Sequence, residues 1–536
     1  MHSVLIKEGV LGRDDSEMLD FIDFFKNRVS NMIRQGAGSR MSDREFLERE
    51  IARWKNSPQR TLQIRGSLYY EGEHDILRRK RTVIGEDGKL TEVENLPNNR
   101  VVDNQYGKVV DQKTNYLLGN PLVLEGKNNR YIEELKQVFD KRFFRILRNA
   151  GKAALNNGIA WLFLTYDEEG KLAFRMFHGY EILPFFKDRE HTVLDFAVRL
   201  YLVEGYEGQI PKLYEKVEVY DLQGVHRFVL DGGTLIPDVW KEGEPEEMSY
   251  VMVSGADGAV RGLNWEKIPL IPLKYNEEEI PLLKKVKPLQ DGINTMLSDF
   301  ENNMQEDSRN TILVLKNYEG TNLGEFRRNL ATYGAVKVRY DGETKGGVET
   351  LEVAVNAENY KSILELFKEA LIENAMGYDA KDDRLSGNPN QMNIQSMYSD
   401  IDLDANGMET EFQAAFEEIL WFVNVHLLNT GKGDFFGEQV EVIFNRDILI
   451  NETEAIANCQ ASVGILSDET LVSQHPWVDD PAQELKRLQE QREEEQAEYE
   501  RQQGYNPFRQ QGKQDDVSGK SPPKKEGDPD GKSEKV

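Results

Sequence analysis

The chain has 536 residues and a mass of 61.6 kDa, too long for one core when domains commonly hold about 50–250 residues, so roughly two to four units are expected. Hydrophobic residues make up 39% and charged residues 30%, with 24 Phe, 21 Tyr and 6 Trp, a mixture that excludes global disorder. Acids outnumber bases 94 to 67 for a net charge of −27, which excludes a protein that grips nucleic acid over most of its surface. Cys459 is the single cysteine, so no disulfide forms within the chain and no cysteine-based zinc site is possible. That usage fits cytoplasmic synthesis. The opening residues Met1–Glu8 carry a short apolar run unlike a signal peptide, and no stretch approaches the length of a membrane span.

In chain order, Asp14 and Glu17 form a capping box ahead of Met18, Phe21, Phe25, Val29, Met32 and Ile33 at helical spacing. A second helix is expected from Ser42 to Lys55. The basic run Arg78-Arg79-Lys80-Arg81 precedes a turn at Gly85–Gly88. From Asn99 a third helix presents Val102, Tyr106, Val109, Val110 and Leu117, ending at Gly119 before Pro121. Residues 130–158 read as helical. The period then changes to a hairpin of Ile159–Tyr166 and Lys171–Phe177, followed by strands at Val193–Val203, Lys212–Asp221 and His226–Leu230, the last ending at Gly232-Gly233. An α/β region is placed at about 130–280.

A different layout follows. Val286, Leu289, Ile293, Leu297, Phe300 and Met304 mark one helix, with Pro288 near its start. Tyr360, Ile363, Leu364, Phe367 and Leu371 mark another, stopping at Gly377. Each is about 33–36 Å long at 1.5 Å per residue. Between them residues 311–355 are short and mixed: a strand (Thr311–Leu315), a small helix (Leu323–Tyr333), a strand (Ala335–Tyr340) and a Gly-rich hairpin ending at Val355. Asp379 to Asn393 is a polar loop without apolar periodicity. A long helix then carries Met408, Phe412, Phe416, Ile419, Val423 and Leu427, with a kink or break expected upstream of that stripe at Gly407 and the acids Asp400–Asp404. Glu438–Phe444 reads as a strand. Asn451 with Glu454 caps a helix, and Asp480-Pro481 starts another that reaches Arg501. From Gln502 the composition is that of a disordered tail.

The search for chemistry is largely negative. No phosphate loop is present: Gly119 with Gly126-Lys127-Asn128 has the wrong spacing, and Gly36-Ala37-Gly38 lacks the third glycine of a dinucleotide fingerprint. The seven histidines show no helical ligand pair. His426 reads as an ordinary helix residue and Cys459 as a small buried hydrophobe. Asp402-x-Asp404-x-Asn406-Gly407 matches four positions of a calcium loop, but Gln413 occupies the position that wants a bidentate Glu, so a solvated kink is preferred. Arg78–Arg81 fits either phosphates and acidic partners or a solvated turn flank. No cofactor, metal or catalytic set is assembled.

Several segments, taken in order, resemble the portal proteins of tailed bacteriophages, in the siphophage branch of Gram-positive hosts. They are Tyr69–Leu77 with the basic run behind it, Asn98–Asn104 through Leu117-Leu118-Gly119-Asn120-Pro121, and Asn156–Trp161 continuing to Phe177 and Ile182-Leu183-Pro184. The resemblance spans about residues 40–480. It implies an α+β, mainly helical portal fold of wing, stem, clip and crown. By element order, 1–125 resembles the helical wing part and 126–280 the α/β wing part. Residues 281–309 and 356–377 resemble the stem helices, 310–355 the clip and 378–393 the tunnel loop. Residues 394–450 resemble the kinked wing helix with its strand, and 451–503 the crown; 504–536 is a disordered tail without a family counterpart.

The resemblance further implies a homo-oligomeric ring, usually a dodecamer, at one capsid vertex of the virion. Double-stranded DNA passes through it during packaging and ejection. Terminase large subunit, head-completion protein, scaffolding and major capsid protein are the implied partners, without a membrane, a cofactor or enzymatic activity. A capsid or tail component, or a DNA-packaging enzyme, is the alternative. An acidic wall offers few phosphate contacts, so DNA can slide. Lys381 and Arg384 are the candidates to steady its backbone, and Asn388, Asn390, Gln391 and Asn393 the candidates for neutral contacts. Glu301, Glu306, Asp307, Lys361, Glu365 and Lys368 are candidates for stem packing between subunits or for the channel wall, against the plainer reading of solvated charges.

Overall fold

The computed structural model describes residues 43–84, 89–92, 96–189, 191–238, 247–254, 260–306, 312–316, 347–351, 357–379, 391–446, 452–478 and 480–504. Two compact units divide the chain at Leu449/Ile450. The expected α+β class holds: helices and several antiparallel sheets alternate in blocks rather than in βαβ units.

The first unit begins with α1 (Asp43–Lys55) and α2 (Pro58–Glu71). Sequence reading missed α2, although its signals are present: Ser57 Oγ accepts from Arg60 N as N-cap, and Pro58 occupies the first turn where its missing N–H costs nothing. A small ribbon of β1 (Thr82–Ile84) and β2 (Leu90–Glu92) follows. The helix expected from Asn99 begins later, as α3 (Gln105–Leu118), capped by Asn104. Residues 98–103 lie outside any helix or strand instead, the N–H groups of Asn99, Val101 and Asp103 being claimed by another helix. β3 (Val123–Gly126) comes next, and the helical stretch near 130–158 divides into α4 (Asn129–Val138) and α5 (Lys141–Asn157), with Asp140 capping the second.

At Gly158 the chain turns with φ +79° into the expected hairpin, β4 (Ile159–Tyr166) and β5 (Leu172–His178), paired in the register Tyr166↔Leu172. Then come β6 (Ile182–Phe186), β7 (Leu194–Glu207), β8 (Ile210–Tyr220), β9 (Val225–Asp231), β10 (Thr234–Pro237) and β11 (Glu247–Met248), a six-stranded antiparallel sheet. β12 (Val251–Ser254) and β13 (Val260–Leu263) form a ribbon, and β14 (Leu270–Lys274) joins the β4 edge. α1 covers the six-stranded sheet, packing Ile51 and Trp54 against Val198, Leu200, Val217 and Val219.

Two helices flank the segment expected as a small module. They are α6 (Leu283–Glu306), with Pro288 inside its first turns, and α7 (Ala357–Asn374). Between them β15 (Ile312–Lys316) pairs with β16 (Gly347–Leu351). α8 (Gln391–Asn429) is one uninterrupted 39-residue helix rather than a broken one, about 58 Å long at 1.5 Å per residue. Gly407 lies inside it with open space where a Cβ would stand. The main core gathers α3, α5, α6 and α8 around Tyr106, Phe143, Leu147, Phe412 and Phe416, and β17 (Val440–Ile443) returns to pair with β3.

The second unit holds α9 (Glu452–Ala461), α10 (Asp468–Ser473) and α11 (Pro481–Gly504), so the stretch expected as tail from Gln502 is still helical to Gly504. Cys459 is half-exposed rather than buried. The stripe Met18–Ile33, the turn Gly85–Gly88, the pieces Leu323–Tyr333 and Ala335–Tyr340, Asn451 and the tail beyond 504 lie outside the described residues.

A Cβ on Gly158 would stand 2.0 Å from the Glu279 carbonyl oxygen, and φ +79° is left-handed. Gly158→Ala is expected to lower stability by at least about 1–2 kcal/mol from the left-handed penalty alone, read as a fall in thermal midpoint.

Candidate functional site

α6 is the element to which the rest is fixed. Gln290, Asn294, Ser298 and Asn302 recur every fourth residue on it, and all four are fully buried. Along this stripe, antiparallel to the helix, lies the chain from Asn99 into the first turn of α3. Asn99 N donates to Asn302 Oδ1 at 2.7 Å, Val101 N to Ser298 Oγ at 2.9 Å, Asp103 N to Asn294 Oδ1 at 3.0 Å, and Tyr106 N to Gln290 Oε1 at 2.8 Å. The match is geometric. Four helical residues rise about 6.0 Å, and two extended residues would rise about 6.6 Å, so the alternate N–H groups of Asn99, Val101 and Asp103 meet successive side chains, and Tyr106, three residues on in the first turn of α3, meets the fourth. Gln290 Nε2 answers by donating to the Asp103 carbonyl at 2.7 Å. Asn294 Nδ2 donates to His74 Nδ1 at 2.7 Å, which leaves the His74 Nε2–H for the Tyr69 carbonyl at 2.9 Å.

Ion pairs bolt the neighbouring face. Lys287 Nζ lies 2.7 Å from Asp75 and 2.6 Å from Asp291, and Tyr69 OH donates to Asp291 Oδ1 at 2.6 Å. These carboxylates hold the Lys287 ammonium above its ordinary range despite partial burial. The basic run is half absorbed here: Arg79 and Arg81 both approach Asp299 of α6, at 2.7 and 3.8 Å, while Lys80 pairs with exposed Glu92.

α7 packs on α6 at a close approach, where a Cβ on Gly292 would meet Phe367 Cε2 at 2.6 Å. Phe300 and Tyr360 are 5.2 Å apart, and Asn303 Nδ2 donates to Tyr360 OH at 3.2 Å. Of the charges singled out in sequence, Glu301 is exposed on α6 and Glu306 is its last residue. Lys361 and Glu365 meet at 3.8 Å as an exposed i,i+4 pair on α7. Lys368 is engaged within the chain, 2.7 Å from Asp103. Gln391 starts α8 and Asn393 is exposed in its first turn. Asp307, Lys381, Arg384, Asn388 and Asn390 lie outside the described residues.

The calcium-like run is a helical surface. Asp402 and Asn406, one turn apart on α8, are both held by the Arg446 guanidinium, which also reaches Glu409 at 2.7 Å; no loop exists to wrap a cation. His426 is buried, its Nδ1 3.1 Å from Tyr166 OH, and burial pulls its pKa down. Among the described residues no group of three or more His, Cys, Asp or Glu is placed to hold a metal ion, and no helix is long and apolar enough to cross a membrane. The ladder was missed in sequence. Its signal was the i,i+4 recurrence of Gln290, Asn294, Ser298 and Asn302 beside an apolar stripe.

The family described as phage portal protein, SPP1 Gp6-like, matches residues 51–498. The chain belongs to the phage portal protein family. A portal protein of Bacillus phage SPP1 is 30% identical over 430 residues, covering 80% of this chain and 83% of that one. A portal protein of Clostridium phage phiCD119 is 26% identical over 429 residues, 78% of this chain and 89% of that one. A chain from the virion of a native gene transfer agent particle shares 12% identity over 68% of this chain and 88% of its own, at a TM-score of 0.37. The expected resemblance to portal proteins of Gram-positive hosts is thus borne out, and the fully buried polar stripe of this portal protein sits inside the matched range.

Asn294→Leu strands the Asp103 N–H and His74 Nδ1 in a buried setting. It should cost about 1–3 kcal/mol, whereas Glu301→Gln on the exposed side of α6 should stay within about 0.5 kcal/mol; denaturant midpoints separate the two. Burial is also the largest influence on His74 and lowers its pKa from 6.5. The folded state therefore binds fewer protons than the unfolded one, and stability is full above about 6.5 and declines as pH falls below it. His178 and His426 are shifted in the same direction. The expected outcome is a shallower acid slope in His74→Gln than in the unaltered chain, measured as thermal midpoint against pH.

Proposed function

We propose that this portal protein closes into a ring, twelvefold by family expectation, at one capsid vertex, and that double-stranded DNA passes through its lumen during packaging and ejection. In this reading α6 and α7, within 281–309 and 356–377, are the stem helices. Residues 310–355 are the clip, which docks the terminase large subunit and later the head-completion protein. Residues 1–280 with α8 and β17 form the wing, facing scaffolding and major capsid protein. Residues 378–393 narrow the channel, and 451–503 form the crown. Synthesis in the host cytoplasm completes the picture, and the chain carries out no chemistry of its own.

The observation that carries the reading is the paired α6 and α7, joined through a small strand pair and anchored at one end to a large mixed body. A pair of helices held this way makes a strut. Repeated by a rotation that closes, with two different faces in contact, struts make a tube. The net charge of −27 supports a conduit rather than a binder, because each phosphate neutralised would add affinity and resist sliding.

Electron micrographs of the purified chain should show rings with a central hole; a chain that stays monomeric at every concentration and salt would overturn the reading. Replacing Lys381 and Arg384 together with Gln should change packaged DNA length or packaging rate without abolishing rings, and unchanged packaging would remove these two residues from the channel.

A further inference from the structure

α3 carries a second anchoring device, on the side of the helix turned toward the end of α7 and the middle of α8. Lys113 is 4% exposed. Its Nζ donates to the Met376 carbonyl at 3.0 Å and to Asp404 Oδ2 at 2.7 Å. The preceding residue, Gln112, donates through Nε2 to the Tyr378 carbonyl at 2.7 Å, while its Oε1 accepts from Tyr378 N at 3.3 Å. Met376 and Tyr378 belong to the chain leaving α7; Asp404 belongs to α8, which the chain enters at Gln391. Two adjacent side chains of one helix therefore hold the polypeptide on both sides of residues 380–390.

Three further features bear on the same point. Met376 has φ +53°, a left-handed conformation that a non-glycine residue keeps only when its surroundings enforce it. Tyr378 packs on Tyr398 of α8 with ring centroids 4.6 Å apart, and Tyr398 stacks in turn on Tyr116 of α3 at 5.8 Å. The Asp404 carboxylate is also held by Tyr275 OH, at 2.8 and 3.0 Å from its two oxygens, with Lys285 at 4.0 Å.

A buried ammonium is a poor way to gain stability, since an apolar side chain of similar volume commonly does as well. What Lys offers here is several donors on one atom, two of them spent on two separate stretches of chain.

We propose that Gln112 and Lys113 are positioning residues that set the spacing between the end of α7 and α8, and through it the aperture presented to DNA. The second half of this statement rests on the reading of residues 378–393 as the channel-narrowing segment; the first half does not.

The test uses the full chain with Cys459→Ser and spin labels on Glu373→Cys and Gln395→Cys, diluted with unlabelled chain. One narrow distance distribution is expected with Lys113 and with Lys113→Arg, and a broadened or displaced one with Lys113→Met. Should Lys113→Met fail to fold, Gln112→Ala serves, because it removes both Tyr378 contacts without stranding a charge. A distribution unchanged in every variant overturns the anchoring. In parallel, phage particles carrying each variant are assayed for packaged DNA length. A changed length in Lys113→Met, restored in Lys113→Arg, supports the aperture claim. A displaced distribution with unchanged DNA length overturns the aperture claim while leaving the anchoring in place.

Discussion

Backbone groups must find partners wherever water is excluded, and in this molecule one helix meets that demand for a segment that is neither helix nor sheet until it enters α3 at Gln105. The stretch 99–106 runs along α6 with its N–H groups in the hands of Asn302, Ser298, Asn294 and Gln290. Much of the first unit depends on that arrangement. It fixes where α3 begins, and so where Tyr106, Val109, Val110 and Leu117 enter the core. It brings Asp103 within reach of Lys368 on α7, and His74 against Tyr69 on α2. A helix whose inner face were wholly apolar would pack as tightly but would leave those N–H groups unpaired. Each would then cost a desolvation penalty of about 1–3 kcal/mol.

How legible this was in the sequence depended on the range of the interaction. The hairpin of β4 and β5 is written locally, in apolar strand residues and a tight turn, and its two strands were read to within a residue. The apolar stripes of α6, α7 and α8 were read from periodicity alone. The start of α3 was misplaced because Asn99–Asp103 has helical spacing, and only a partner nearly 200 residues away overrides it. The break expected near Gly407 did not materialise: Arg446, also distant in sequence, ties Asp402, Asn406 and Glu409 across the suspected weak point. The candidate site divided along the same line. Charges that need only their own helix, Lys361 and Glu365, are found together, whereas Lys368 turned to a residue no local pattern could have named.

Function follows from the same division of labour. The body is braced by buried polar contacts, and the helix pair runs from it to the joining strands β15 and β16. Arg79 and Arg81 illustrate the economy. In a chain this acidic they would be natural phosphate ligands, yet both approach the single carboxylate of Asp299, which engages them within the chain. A conduit benefits from basic residues placed in that way, since positive charge facing the lumen would slow a polyanion.

The ladder along α6 is the centre of this account, and amide hydrogen exchange addresses it directly. The account predicts that the N–H groups of Asn99, Val101, Asp103 and Tyr106 exchange as slowly as those in the middle of α5, although three of the four lie outside any helix or strand. Exchange at the rate of an unprotected, solvent-exposed amide would contradict it.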